Sequence, residues 1–317
     1  MSTMRKRIHS PLSSMRPPQP QPRFRIQPIS HDPDILALVN DSKALLREHE
    51  PGPVDLLRPR GGSNLFFTCE HASKRIPESL ENLGLDAAHL ERHIAWDIGA
   101  AGVARRLSEH FDATCVLQNY SRLVVDCNRW THADDFATTY SEDTVIPGNM
   151  DLSDTQLAER TKLIYEPYHQ TIEDHLDQRE QTGRVTVLAS IHTCTPVFLG
   201  ESRPWHVGVL YQRDTRFAHV LMDLLRSDGT LVVGDNQPYA LNDNKDYAVP
   251  VHGERRGIAH VEFEIRQDLV ANDAGQSEWA ERLHELLSTG VDVLEERHPE
   301  LLTSKTPSHE HHTQLGH

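Results

Sequence analysis

Three short polar segments each follow an apolar run that reads as a β-strand, and each carries groups able to hold a metal or move a proton. They are Thr68-Cys69-Glu70-His71 after Leu65-Phe66-Phe67, Ser190-Ile191-His192-Thr193 after Val185 to Leu188, and Glu264-Ile265-Arg266 after His260 to Phe263. In open α/β sheets, ligands and catalysis gather beyond the carboxyl ends of the strands, so the three segments point to one shared site. The chemistry these residue types suit is metal-assisted hydrolysis.

His71 and His192 are the candidate metal ligands. Imidazole suits zinc, and a catalytic zinc takes three protein ligands from N and O donors while keeping a fourth position open. The plain alternative is a pair of half-buried, hydrogen-bonded histidines in a chain that holds 21 of them. The third donor should be a carboxylate, for which Glu70 and Asp97 compete. Adjacent residues on a regular strand point to opposite faces, which separates Glu70 from His71, so Asp97 is preferred and Glu70 stays in reserve. Asp97 also has a bland reading, as the N-cap of the next helix.

Glu264 stands in an apolar strand, where a carboxylate is costly to bury without a partner or a task. It is either a general base or the partner of an arginine such as Arg266. Arg122 and the pair Asn128-Arg129 bracket a strand-like run, and guanidinium forks grip carboxylates in two places, so a small anionic substrate is expected there. Surface salt bridges are the competing reading. Arg266 and His252 are further candidates for substrate contact, and the loops Arg203 to His206 and Asp235 to Tyr239 could extend the pocket.

The elements that must position these groups alternate. Strands are expected at Leu65 to Cys69, Thr114 to Gln118, Leu123 to Asp126, Val185 to Ser190, Trp205 to Tyr211, Leu231 to Val233 and His260 to Ile265. Helices are expected at Pro33 to His49, Ala87 to Ala95, Gly99 to His110, Ser153 to Gln181, Arg216 to Arg226 and Ser277 to Glu296. Ser153 or Asp154 can cap the longest of these and Gly183 can end it. Thr131 to Asp151 reads as a long polar loop, of the kind that closes over sites. The alternation predicts a three-layer α/β/α fold with a mostly parallel or mixed sheet, as one domain over residues 31–298.

Charge is placed unevenly. Residues 1–25 hold six of the 32 Lys and Arg and no acid, which leaves 26 bases against 47 acids in the remainder. An acidic body argues against a nucleic-acid partner. The Pro-rich basic head, residues 1–30, reads as an extended tail, and residues 299–317 as a second, His-rich tail. No run is long enough to span a bilayer. Four cysteines without a C-x-x-C pair fit buried thiols in a reducing compartment, so a cytoplasmic protein is expected. The oligomeric state is not readable.

Six ordered segments resemble the N-formylglutamate amidohydrolase family: Cys69 to Ser73 with Ile76-Pro77, His93 to Gly99, Tyr120 to Leu123 through Asn128-Arg129, Ile191 to Thr193, Gly234 to Tyr239, and His252 through Glu264 to Leu269. The resemblance implies a zinc-exopeptidase-like α/β/α fold with one Zn²⁺ per chain. It also implies hydrolysis of a small anionic N-acyl amino acid such as N-formylglutamate. Under it, His71, Asp97 and His192 look like the metal set and Glu264 like the general base. Asn128-Arg129 resembles the Asn-Arg pair that grips a substrate carboxylate in zinc carboxypeptidases. The chain departs from the His-x-x-Glu pattern of those enzymes, because position 74 is Lys, and this leaves the carboxylate ligand open. Two rival readings are a zinc hydrolase for another N-acyl amino acid or short peptide, and a non-catalytic protein that binds small anions.

Overall fold

A computed structural model describes residues 44–227 and 229–303. The basic head, most of the expected helix from Pro33 to His49, and the His-rich tail beyond residue 303 lie outside the described residues. The last part of that expected helix, from residue 44, is turn rather than helix.

The strands, in chain order, are β1 (Val54–Leu57), β2 (Leu65–Cys69), β3 (Thr114–Gln118), β4 (Tyr140–Ser141), β5 (Thr144–Val145), β6 (Val187–Cys194), β7 (Val197–Phe198), β8 (Glu201–Ser202), β9 (Val207–Leu210), β10 (Val233–Asp235) and β11 (Ala259–Arg266). Seven of them form one mixed sheet in the order β1-β3-β2-β6-β11-β9-β10. Its centre, β3-β2-β6-β11, is parallel, while β1 joins β3 and β9 joins β11 antiparallel. The other four strands are two hairpins, β4-β5 and β7-β8.

The helices are α1 (Ala87–Leu90), α2 (Ala100–Phe111), α3 (Asp154–Arg160), α4 (Glu166–Gln181), α5 (Arg216–Ser227) and α6 (Asp273–Arg297). In α2, Ala100, Val103, Ala104 and Leu107 are buried, which is the one-sided spacing of a helix lying on a sheet. With α5 and α6 it covers the sheet face made by Leu65, Phe67, Ala189, Ile191, Val261 and Phe263. The opposite face, with Phe66, Val116 and Leu188, packs under α4 and the irregular chain around Tyr120 to Phe136. The result is a three-layer α/β/α arrangement.

Several expected elements change. Leu123 to Asp126 is turn, not strand. Its residues are buried, but their carbonyls are met by side chains: Asn149 donates to the Leu123 oxygen at 2.8 Å and Arg160 to that of Val124 at 3.1 Å. A ladder is therefore not needed to satisfy them. The helix expected to Ala95 stops at Leu90, and the long polar loop contains the β4-β5 hairpin. Residues 153–181 do run as one helical rod, with a Ser153-Gln156 capping box. It carries a π-helical turn at Thr161–Tyr165, just before Pro167, which has no N–H to give. The strand β6 extends four residues past the expected end, and β10 is shifted to Val233–Asp235. The edge strand β1, flanked by prolines and lacking an alternating pattern, was not anticipated. At the carboxyl end, Pro299–Leu301 forms a short 3-10 turn and Leu301 and Leu302 pack on the core, so the expected tail begins later than residue 299.

All four cysteines are free and buried. Among the described residues, no helix is long and apolar enough to cross a membrane.

Arg160 joins the helical rod to the irregular segment through Val124, Gly148 and Asn149. Replacing it with Ala leaves the buried Val124 and Asn149 oxygens without this donor, and an unfolding free energy lower by roughly 2–4 kcal/mol is expected in urea titration. An unchanged midpoint would show that these bonds do not hold the segment.

Candidate metal and active site

The parallel strands β2, β6 and β11 end on one side of the sheet, and their polar residues meet there. His192 and Glu264 are paired in register on β6 and β11. His71 follows β2 by two residues, and its carbonyl accepts the Asp97 N–H at 2.9 Å, which fixes the loop that brings Asp97 in. The chain then turns at once into α2 through Gly99, at φ 85°. A Cβ there would come within 2.2 Å of the Val270 oxygen, so only glycine allows this approach.

His71, Asp97 and His192 converge. One donor atom from each lies within 4.8 Å of the others, and all three residues are buried. The Asp97 Oδ2 is 2.8 Å from His192 Nδ1 and 3.4 Å from His71 Nδ1. Each ring is held from behind by a second carboxylate: His71 Nε2 meets Asp126 Oδ1 at 2.7 Å, and His192 Nε2 meets Glu70 Oε2 at 2.8 Å. Glu70 also accepts from Ser190 and Tyr168. Glu70 is thus engaged behind His192, and Asp97 is the carboxylate that faces both rings. Asp97 does not cap the helix, whose N-cap is Gly99.

If each Nε2–H donates to its carboxylate, both Nδ1 atoms present lone pairs toward the Asp97 oxygen. Such an arrangement requires positive charge between them, supplied by a proton or by a cation. Among the described residues His71 Nδ1 has no hydrogen-bond partner, with the Asp97 oxygen 3.4 Å away. Two imidazole nitrogens and a carboxylate oxygen, with the far nitrogens fixed by carboxylates, are the donor set and outer support that zinc takes. The residues therefore fit a metal.

The electrostatics agree. Burial pushes the Asp97 carboxyl up, but the two histidines outweigh it and hold the group well below the usual range. Glu70 is likewise opposed by burial and brought down to about 2 by the hydrogen bond and charge of His192. Burial lowers both imidazoles, yet the carboxylates around them raise His71 and raise His192 strongly. Glu264 behaves in the opposite way. Burial, then the neighbouring Asp97 charge, push it up to about 7. One of its oxygens accepts from the Tyr239 hydroxyl and the other has no hydrogen-bond partner among the described residues. A carboxyl of that kind is suited to take and return a proton near neutral pH.

A cavity of ≈ 720 Å³ opens over this cluster and is lined by Asp97, Glu264, Tyr239, Arg122, Arg129 and Arg203, with walls from both hairpins. Arg122 donates to Asp126 Oδ2 at 2.7 Å and stands 3.6 Å from Asp97, while Arg129 binds Asp135 at 3.1 Å and Asp246 at 2.9 Å. Three other expected substrate contacts do not line the cavity. The Asn128 side chain accepts from the Ala248 N–H at 3.0 Å, Arg266 binds Asp268 and the Pro204 carbonyl, and His252 is fully buried against His169. Each is occupied with holding the chain. Sequence reasoning did not assign Asp126 a place behind His71; a carboxylate ending the apolar run Leu123 to Val125 was the available signal.

The chain matches the N-formylglutamate amidohydrolase family over residues 63–271. A solved gene product of Agrobacterium tumefaciens is 37% identical, with a TM-score of 0.77, covering 79% of this chain and 99% of its own. N-formylglutamate amidohydrolase from Ralstonia eutropha is 15% identical, with a TM-score of 0.56, covering 77% of this chain and 98% of its own; that likeness is one of fold. No curated protein matches the sequence.

Asp126→Asn keeps the shape but weakens the grip on the His71 ring. A loss of metal affinity of roughly 10- to 100-fold is expected by competition with a chromophoric chelator. Wild-type affinity in this variant would remove Asp126 from its supporting place.

Proposed function

The chain belongs to the N-formylglutamate amidohydrolase family, a family of hydrolases, and from that premise we propose that it is a zinc-dependent enzyme cleaving the N-acyl bond of a small anionic N-acyl amino acid. N-formylglutamate is the first substrate to test. The observation that carries this reading is the convergence of His71, Asp97 and His192 beside an unpaired Glu264 oxygen.

His71, Asp97 and His192 would hold the zinc. When bound, the ion supplies Lewis acidity at the acyl oxygen and makes water a better nucleophile near neutral pH. Glu264 takes the proton from the attacking water and returns it to the departing nitrogen, giving a carboxylate and a free amino acid. Tyr239 orients Glu264 through its hydroxyl. Arg122, at the edge of the reaction site, keeps donors free for the substrate α-carboxylate. Arg129 is more deeply engaged with Asp135 and Asp246 and is a positioning residue. The four buried free thiols support a reducing, cytoplasmic setting.

Glu264→Gln should retain one zinc per chain and lose turnover by at least about 10³-fold, given what a general base contributes. Wild-type rates in that variant would remove Glu264 from the role of base. The base works only when ionised, so kcat/KM should fall as pH drops through its pKa. A nearby cation lowers that pKa below the value of about 7 set by burial, which puts the acid limb below pH 7. Tyr239→Phe removes a hydrogen bond to the ionised form and should move that limb to higher pH; a limb that does not move would detach Tyr239 from the base.

A further inference from the structure

We propose that Arg203 is the specificity residue of this site and receives the side-chain carboxylate of an acidic N-acyl amino acid. The assignment rests on the hydrolase reading above and adds to it the residue that reads the substrate side chain.

The cations on the cavity wall are not equivalent. Arg122 is shared between Asp126 and Asp97, Arg129 between Asp135 and Asp246, and Lys245 stands 3.3 Å from Asp135. Arg203 alone among the lining Arg and Lys side chains has no carboxylate within ion-pair distance among the described residues. Its guanidinium instead lies over the Phe198 ring, 4.7 Å from the centroid, and reaches the Cys194 thiol. Both neighbours are uncharged, so the guanidinium is held in place without its charge being spent.

Its position also fits. Cys194 is two residues beyond His192 on β6 and so on the same face, about 6.6 Å further along the strand at the usual rise per residue. A receptor there is too far out for the α-carboxylate, which is bonded one carbon from the scissile nitrogen. It suits a carboxylate two or three carbons further out, as in a glutamyl side chain. The hairpin β7-β8 that carries the residue is built to hold it. Leu199 (φ 50°) and Gly200 (φ 84°) form its tight two-residue turn, and the Arg203 N–H closes its base on the Pro196 oxygen at 2.8 Å. The adjoining Pro204 carbonyl accepts from Arg266 at 3.3 Å, which ties the hairpin to the end of β11.

The test compares N-formylglutamate with N-formylglutamine, a neutral substrate of nearly the same shape, using zinc-loaded wild type, Arg203→Met and Arg203→Lys. Wild type should prefer the acid by about 10-fold or more in kcat/KM, expressed in KM, as expected for a charge-assisted pair. Arg203→Met should bring the two substrates within about 3-fold of each other, and Arg203→Lys, which keeps the charge but not the fork, should retain part of the preference. A preference that survives in Arg203→Met, or a wild type that cleaves both substrates equally, would overturn the assignment while leaving the hydrolase reading intact. A zinc-loaded wild type that cleaves neither substrate would overturn the hydrolase reading and this assignment together.

Discussion

The Asp97 carboxylate faces two imidazole nitrogens inside a volume where all three residues are under 5% exposed, and both rings are pinned from behind by Glu70 and Asp126. Buried charges survive only when they are paired and their remaining lone pairs are satisfied. Here three carboxylates converge on two rings, so the arrangement is balanced only with positive charge at the centre. Protons on the rings can supply it, as the raised histidines indicate, and so can a divalent cation. The cluster has the donor set of a cation site, and the other charged groups of the cavity stand around it. Arg122 offsets Asp126 and Asp97, while burial and then the Asp97 charge push Glu264 up.

The sheet makes this possible by treating its two faces differently. One is apolar along its whole length and lies under α2, α5 and α6. The other begins apolar at Phe66 and Leu188 and turns polar toward the strand ends, with Thr68 and Glu70, Ser190 and His192, and Glu262 and Glu264 in alternating positions. Because side chains alternate with a period of two, the same strands can complete a core on one side and a reactive cluster on the other. Parallel neighbours place those polar ends at one edge.

Much of this was legible in the residues. The bounds of β2 and β3, and the meeting of His71, His192 and Glu264, follow from short apolar runs that end in polar residues, and Asp97 from its place at an expected helix start. What misled was burial without a ladder. Leu123 to Asp126 looks like a strand, but its carbonyls are met by Asn149 and Arg160, which lie far along the chain and leave no local signal. The helix expected to Ala95 gives way after Leu90 because the chain must deliver Asp97 beside the His71 carbonyl. Asn128, Arg266 and His252 were read as substrate contacts from residue type, and Asn128 also from the resemblance. Which way an amide, a guanidinium or an imidazole faces is decided by partners such as Ala248, Asp268 and His169, and spacing does not reveal those.

The most direct measurement is calorimetric titration of Zn²⁺ into chelator-treated, metal-free protein near pH 7, repeated in buffers of different ionisation enthalpy to count released protons, with His71→Ala and His192→Ala alongside. The account predicts one ion per chain, bound with release of protons because the surrounding carboxylates favour the protonated form of both rings, and loss of binding in both variants. Binding that leaves both variants unaffected, or no binding to the folded wild type, would contradict it.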